Sequence, residues 1–362
     1  MNLIGTMSIG IKGPIIKKGD DLVNIVCDSV ISACENHNLT LEDRDVVAVT
    51  EAVVAKSQGN FATLDDIAAD VKEKFQDETV GLILPILSRN RFVLLLKGIA
   101  RGVKKLVIQL SLPCDEVGNH LITPEQLHES GINPYETLTE EEFYKLFGTP
   151  KHEFTGVNYV ELYKQYGGEN CEIIFSNNPC SILKYTKFVI NADIHTREMT
   201  KRALLKGGAE KVYSISDILN KSVNGSGFNP DYGILGSNVS TNDIVKLFPK
   251  DTMEFAQNLQ NEFKKRTGKT IECMVYGDGA FKDPVGKIWE LADPVVSPGY
   301  TSGLLGLPNE IKLKYVADNE LGKLNSEDAQ KEMIKRIKEK ENGIKDETLT
   351  KIPIRHRFDL VF

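Results

Sequence analysis

Apolar residues recur along this chain at two spacings, and the changes between them divide it into elements. Leu22, Val23, Val26, Val30 and Ala33 fall three or four apart behind Asp20, which predicts a helix capped by Asp20 and running to about residue 34. Ahead of it, residues 9–16 read as a strand; behind it, residues 46–55 read as a β-branched strand delivering Lys56-Ser57-Gln58-Gly59. A short helix starts near Thr63, with Asp65 and Asp66 in its first turn. Between about residues 88 and 229 the rhythm becomes regular. Helix 89–101, strand 106–110, helix 139–147, strand 172–175, helix 180–185, strand 188–191, helix 197–205 and strand 211–214 alternate across short loops, the pattern of a parallel α/β unit. Thr139 with Glu142 forms a capping box, and Gly207-Gly208 ends a helix.

After a Gly/Asn/Ser/Pro loop at 224–230 come a long helix at 252–266 and a strand at 271–275. That strand runs into Tyr276-Gly277-Asp278-Gly279-Ala280. Glycines at a strand end let backbone approach a ligand, and Asp278 is the kind of oxygen donor that holds Mg²⁺ beside a phosphate. The structural alternative is a tight Asp-Gly turn. Residues 311–317 read as a strand and 326–341 as a charged helix capped by Ser326.

The chain has 362 residues, a length for about two domains. A net charge of -7, spread without blocks, argues against a dedicated nucleic-acid binder. The apolar runs at 80–87 and 92–96 are far short of a membrane span, and the first eleven residues lack the pattern of a signal peptide. Six scattered cysteines without a Cys-x-x-Cys pair read as reduced thiols, so the expected compartment is the cytoplasm. Thr267-Gly268-Lys269-Thr270 lacks the earlier glycine of a phosphate loop, with Phe263 in its place. Gly225-Ser226-Gly227 follows no strand, so no dinucleotide fingerprint is present.

Four segments in order resemble the γ-glutamyl ligases that extend the deazaflavin coenzyme F-420 with glutamate. Gly13-Pro14-Ile15-Ile16-Lys17-Lys18-Gly19-Asp20-Asp21-Leu22 is similar to that family's nucleotide-contacting strand and the helix after it. Val53-Val54-Ala55-Lys56-Ser57-Gln58-Gly59 resembles a strand ending in Lys and Gly. Gly233-Ile234-Leu235-Gly236-Ser237-Asn238-Val239 resembles a Gly-Ile-Asp-x-Ser-Asn loop. The helix to Thr267-Gly268-Lys269 with the strand and Asp278 resembles the family's Asp-Thr-x-Gly-Arg turn, and Val316-Ala317-Asp318 its late Val-Ala-Asp-Glu strand.

The fold this resemblance implies is an α+β core from residues 1–87 and 230–325. An inserted α/β (parallel-type) subdomain would occupy 88–229, and a C-terminal helix and tail 326–362. The implied reaction activates a substrate carboxylate with GTP (or ATP) and Mg²⁺ or Mn²⁺, after which the amine of glutamate or another amino acid displaces phosphate. The implied roles are nucleotide contacts from Pro14, Ile15, Ile16, Lys56 and Asn238, and metal ligation by Asp278 and Asp318. A homodimer is implied as well. The chain departs from the pattern at Leu235, where the family has a metal-binding Asp, and at Gly279, where it has Thr. A missing carboxylate either removes one metal or moves its ligand to Asp115, Glu116 or Asp193. The competing reading is therefore a protein that kept the fold and binds a nucleotide or metabolite without turnover.

The residues themselves leave alternatives open. Lys56 is as readily a solvated side chain, Asn238 a loop-stabilising amide, and Asp318 a surface carboxylate. Asp115 and Glu116 follow Pro113 at a strand end, and Asp193, His195 and Arg197 follow another. Strand C-terminal ends of α/β units are where ligands bind, so these five are the candidate acceptor site for a small-molecule acid.

Overall fold

The computed structural model describes residues 7–342 except 77, 86, 89–91, 114–119, 153–155, 194–195, 278–279, 283–288, 292–298 and 305–312. Short polar side chains set the element ends. α1 (Leu22–Asn36) is capped by Asp21, which accepts from the Asn24 amide; Asp20 accepts from the Lys17 amide instead, so the cap sits one residue later than the sequence suggests. β1 (Val46–Thr50) passes directly into α2 (Glu51–Gln58). The strand expected over 46–55 stops at Thr50 because its hydroxyl caps Val53, and Val54 and Ala55 become the buried face of a helix.

β2 (Phe61–Thr63), α3 (Leu64–Phe75), β3 (Thr79–Ile83), α4 (Phe92–Arg101), β4 (Lys105–Leu110), α5 (Pro124–Ser130), β5 (Leu138–Thr139) and α6 (Glu140–Phe147) follow. Thr63 with Asp66, Thr123 with Gln126 and Thr139 with Glu142 close as capping boxes at α3, α5 and α6. Then come α7 (Tyr159–Gly167), β6 (Cys171–Phe175), a 3₁₀ turn (Pro179–Lys184), β7 (Phe188–Asn191), α8 (Arg197–Lys206) and β8 (Lys211–Ser214). β9 (Asn238–Thr241), β10 (Ile244–Lys246), α9 (Thr252–Thr267), β11 (Glu272–Tyr276), β12 (Ala280–Lys282), β13 (Trp289–Leu291) and β14 (Gly299–Tyr300) lead to α10 (Leu313–Tyr315), a π turn (Val316–Glu320) and α11 (Ser326–Asn342).

The fold is mixed α/β with several sheets. The largest has six strands in the order β5-β6-β4-β3-β7-β8, with β5 antiparallel at one edge and the rest parallel. The chain enters at β3, adds β4 and β6 on one side, then returns to place β7 and β8 on the other. That is the doubly wound order, and its reversal opens a switch point between the ends of β3 and β7. β1 and β11 run parallel with β14 antiparallel beside β11, and β2, β10 and β9 form an antiparallel sheet.

Among the described residues, beside a cluster built from such residues as Val107, Ile174, Ile182 and Val189, two larger cores divide the sequence differently from the boundaries expected at 87/88 and 229/230. The larger draws only on residues between Ala62 and Leu247, and β3, expected in the flanking core, is central to its sheet. The smaller joins α1, β1 and α2 to α9 and β11 through such residues as Cys27, Val49, Val54, Phe263 and Cys273. The junction is stitched by hydrogen bonds. The Leu247 amide donates to the Asn60 carbonyl (3.0 Å), Asn60 Nδ2 to the Phe248 carbonyl (2.6 Å), and Gln58 exchanges two bonds with the Lys250 backbone.

Two further expectations change. Residues 9–16 form no strand: Ile15 is 81% exposed and only Ile16 turns into the smaller core. Of the strand expected at 311–317, residues 313–317 are the helical turn of α10 and the start of the π segment, with Asp318 exposed within it; 311 and 312 lie outside the described residues. Among the described residues no helix is long and apolar enough to cross a membrane. Cys27, Cys34, Cys171, Cys180 and Cys273 are all free thiols. Burial pushes Cys27 up to about 11, Cys171 up to about 12, and Cys273 upward as well.

Candidate functional site

Because β1 and β11 are parallel and Thr50 pairs with Tyr276, the chain leaves both strands on one edge, at Glu51 and Gly277. Asp278, the expected metal ligand, lies outside the described residues. Glu51 is 3% exposed and starts α2, where a carboxylate complements the positive end of a helix. Asn238 Nδ2 reaches Glu51 Oε1 at 3.5 Å. The structure thus brings Asn238 to the strand edge, together with an acid that the sequence reading passed over. The signal for Glu51 was its place directly after a β-branched run, hidden by the expectation that the strand continued.

The loop that delivers Asn238 is anchored at its start. Asn229 donates to the Phe248 and Pro249 carbonyls and accepts from the Asp231 and Tyr232 amides. Gly233 and Gly236 take positive φ, at +52° and +75°. A Cβ on Gly233 would meet the Ser216 and Ile218 carbonyls, and one on Gly236 the Phe248 ring. Ser237 is buried and its hydroxyl has no hydrogen-bond partner. Leu235, where the resemblance expects a carboxylate, is 1% exposed and belongs to the larger core. That side chain packs; it cannot ligate.

The other nucleotide candidates gather at the far end of α2. Lys56 is exposed in its last turn, not at a strand end, about 7 Å along the axis from Glu51. There its charge also complements the helix C-terminus. The Gly19 amide donates to the Ser57 carbonyl at 2.8 Å, which draws residues 16–19 to this corner. The stem of Lys18 lies over Gly59, so closely that a Cβ there would sit 2.6 Å from Cγ. Lys18 is a second cation at the corner, missed because its segment was read as strand and turn. Pro14 and Ile15 are exposed.

Of the candidate acceptor residues, Asp115, Glu116 and His195 lie outside the described residues, whereas Asp193 and Arg197 share the turn after β7. Asp193 is spent within that turn: Oδ1 accepts from the Thr196 amide (2.9 Å), and Oδ2 from the Thr196 hydroxyl (2.5 Å) and the Thr200 hydroxyl (2.7 Å). Arg197 is half-buried, and its Nη1 is shielded from solvent with no hydrogen-bond partner. It sits close enough to Tyr232 to act on its phenol, which burial and Asp231 push up while Arg197 draws it down. The charge of Arg197, in the first turn of α8, is therefore felt by the loop that carries Asn238.

Asp318 joins no such group: among the described residues no three His, Cys, Asp or Glu side chains come together as a metal site. The oxygen donors at the β1/β11 edge are of the hard type that Mg²⁺ or Mn²⁺ takes, and Glu51, Asn238 and the Ser237 hydroxyl fit a cation-bound phosphate there. Leu235 does not.

Comparison with known proteins gives a match to the family F420-0:Gamma-glutamyl ligase over residues 10–346, so the match takes in residues 88–229 as well as the flanks. A coenzyme F420:L-glutamate ligase of Methanosarcina acetivorans is 33% identical over 86 residues, 23% of this chain and 30% of that protein. One of Methanosarcina barkeri is 43% identical over 54 residues, 15% of this chain and 18% of that protein. The aligned part thus spans less than a third of either relative.

Proposed function

The chain belongs to the F420-0:gamma-glutamyl ligase family, and from that premise we propose that it is a nucleotide- and metal-dependent ligase forming a γ-glutamyl-type amide bond through an acyl-phosphate. The observation that carries this reading is the meeting of Glu51 and Asn238 at the shared C-terminal edge of β1 and β11. In the proposed reaction the acceptor carboxylate takes the terminal phosphoryl group of GTP (or ATP), releasing the diphosphate. The amine of glutamate then attacks the acyl carbon and phosphate departs, with the amine proton lost to solvent. Mg²⁺ or Mn²⁺, when bound, would neutralise phosphoryl charge. Glu51, Asn238, Ser237 and Asp278 would hold it or the phosphates of the nucleotide. Lys56, with Lys18 beside it, would supply attraction as a point charge, while Pro14–Ile16 would line the nucleotide. The acceptor and glutamate are small molecules, and the proposed setting is a cytoplasmic homodimer. Met7, Ile9, Ile11 and Ile15 are all exposed along the N-terminal segment, apolar surface suited to a second copy.

The direct test incubates the pure protein with each nucleotide, Mg²⁺ or Mn²⁺, glutamate and a panel of acids, and measures phosphate release. Absence of nucleotide binding by calorimetry at every metal concentration overturns the proposal. Lys56→Ala should weaken nucleotide binding without changing metal stoichiometry. Its effect on stability should stay within about 0.5 kcal/mol because the side chain is exposed. The second reading, a nucleotide- or metabolite-binding protein without turnover, is favoured by the core packing of Leu235. Binding without phosphate release across the acid panel would establish it.

A further inference from the structure

We infer that the crevice at the switch point of the six-stranded sheet is an oxyanion site, in which Arg197 grips a carboxylate or phosphate group of the acceptor. Naming the bound molecule as the acceptor rests on the ligase reading; the anion site itself does not.

Asn191, Asp193 and the Ala192 amide fix the ends of the turn that presents this arginine. Asn191, fully buried at the end of β7, donates through Nδ2 to the Arg197 carbonyl (2.9 Å) and accepts from the Asp193 amide (3.0 Å). Asp193 in turn holds Thr196 and Thr200. The Ala192 amide donates to the Ile83 carbonyl at 2.9 Å, which seats the turn beside the end of β3, where the strand order reverses. A ligand in a doubly wound sheet binds in that place.

With its neighbours satisfied, the guanidinium of Arg197 stands apart. Arg101 holds Asp65, Arg266 holds Glu262 and Asp28, and Arg336 holds Glu320 and Glu332. Among the described residues Arg197 holds no carboxylate, although it is half-buried and its Nη1 is cut off from water. A cation in that state carries a desolvation cost that no ion pair among the described residues offsets. The one carboxylate in its own turn is already filled with donors. A planar fork of N–H groups is the donor set that takes a carboxylate or phosphate through two parallel bonds. Tyr232, whose phenol feels the charge of Arg197, belongs to the loop that continues to Ser237 and Asn238. The site thus lies one loop away from the proposed phosphate edge, a natural arrangement for handing an acid to an activating nucleotide.

The test uses the full chain without nucleotide or divalent metal. Calorimetric titration at low ionic strength is run with glutarate and, separately, with inorganic phosphate; the probe that binds identifies the kind of oxyanion. Saturable binding is expected, lost by about tenfold or more in Arg197→Met and also weakened in Arg197→Lys, which keeps the charge but not the fork. Arg197→Gln replaces the methionine variant if that one does not fold. In thermal melts the ligand-free Arg197→Met protein should melt no lower than wild type, since it loses no bond, and only wild type should gain from the anion. The inference is overturned if wild type binds neither probe. Equal binding by wild type and Arg197→Met overturns it too, as does a ligand-free melting point several degrees lower in Arg197→Met. Nucleotide binding measured with metal reports on the ligase reading alone, and its absence would leave the anion site standing.

Discussion

At the C-terminal edge of β1 and β11, polar groups reach across the fold: Glu51 of α2 meets Asn238 from a loop nearly two hundred residues away in the chain. At the corresponding edge of the six-stranded sheet, most polar groups are bound within the edge itself. Asn177 spends both ends of its amide on Leu112, Asn178 caps the 3₁₀ turn at Cys180, and Asp193 saturates itself on Thr196 and Thr200. Both edges look alike in sequence, as short polar clusters behind apolar strands. What separates them is where the hydrogen bonds go: a carboxylate already holding its donors builds a turn, whereas a buried donor left without an acceptor points to a ligand.

The largest effect that bears on this contrast concerns Leu235. If it is core and not site, Leu235→Ala should cost about 2–5 kcal/mol in urea unfolding, and a loss well under 1 kcal/mol would put the 233–238 loop back among surface loops. Next comes Asp193. Its three acceptor contacts make Asp193→Asn about 1–3 kcal/mol destabilising, against no loss for Arg197→Met; equal effects of the two substitutions would erase the distinction drawn between them. Near neutral pH the smallest effect concerns the thiols of the two cores. Cys27 lies in the smaller and Cys171 in the larger. Each keeps its proton to about 11 or 12 when folded but only to about 8.5 when unfolded. Between those values the native state binds more protons than the unfolded one. Their contribution is therefore present in full below about pH 8.5 and falls as pH rises toward the folded values. Unfolding midpoints from pH 8 to pH 11 should decline, and Cys27→Ala should flatten the decline. An unchanged slope would show that the smaller core admits water.

The regular α/β stretch was legible almost residue for residue: β7 and β8 fall at the expected bounds, and β4, β6 and α8 within a residue. Strands buried on both faces and helices closed by capping boxes signal themselves locally. The strand at 46–55 misled because Val53, Val54 and Ala55 suit a buried helix face as well as a strand, and only the Thr50 cap decides. Residues 9–16 misled in the same way, alternating without a partner to pair with. Strands β2, β9 and β10 are three or four residues long and paired across the junction, too short to show a period. Lys56, Asn238, Asp193 and Arg197 could be named from the sequence. Which of them had spare bonding capacity could not, because that depends on neighbours brought in by folding.

The stitched junction between Asn60 and Leu247 bears on the order in which the protein is made. Every described residue of the larger core lies between Ala62 and Leu247, so that core can close once those residues have left the ribosome. α1 and β1 emerge earlier yet must wait, since their partners α9 and β11 end the journey at Thr267 and Tyr276. A segment synthesised ahead of the larger core is thus among the last to be buried. During that interval its apolar stripe is exposed to whatever binds nascent chains. The bonds from Gln58 and Asn60 to the 247–250 backbone shorten the wait, because they hold the returning chain where β11 must begin to search for β1.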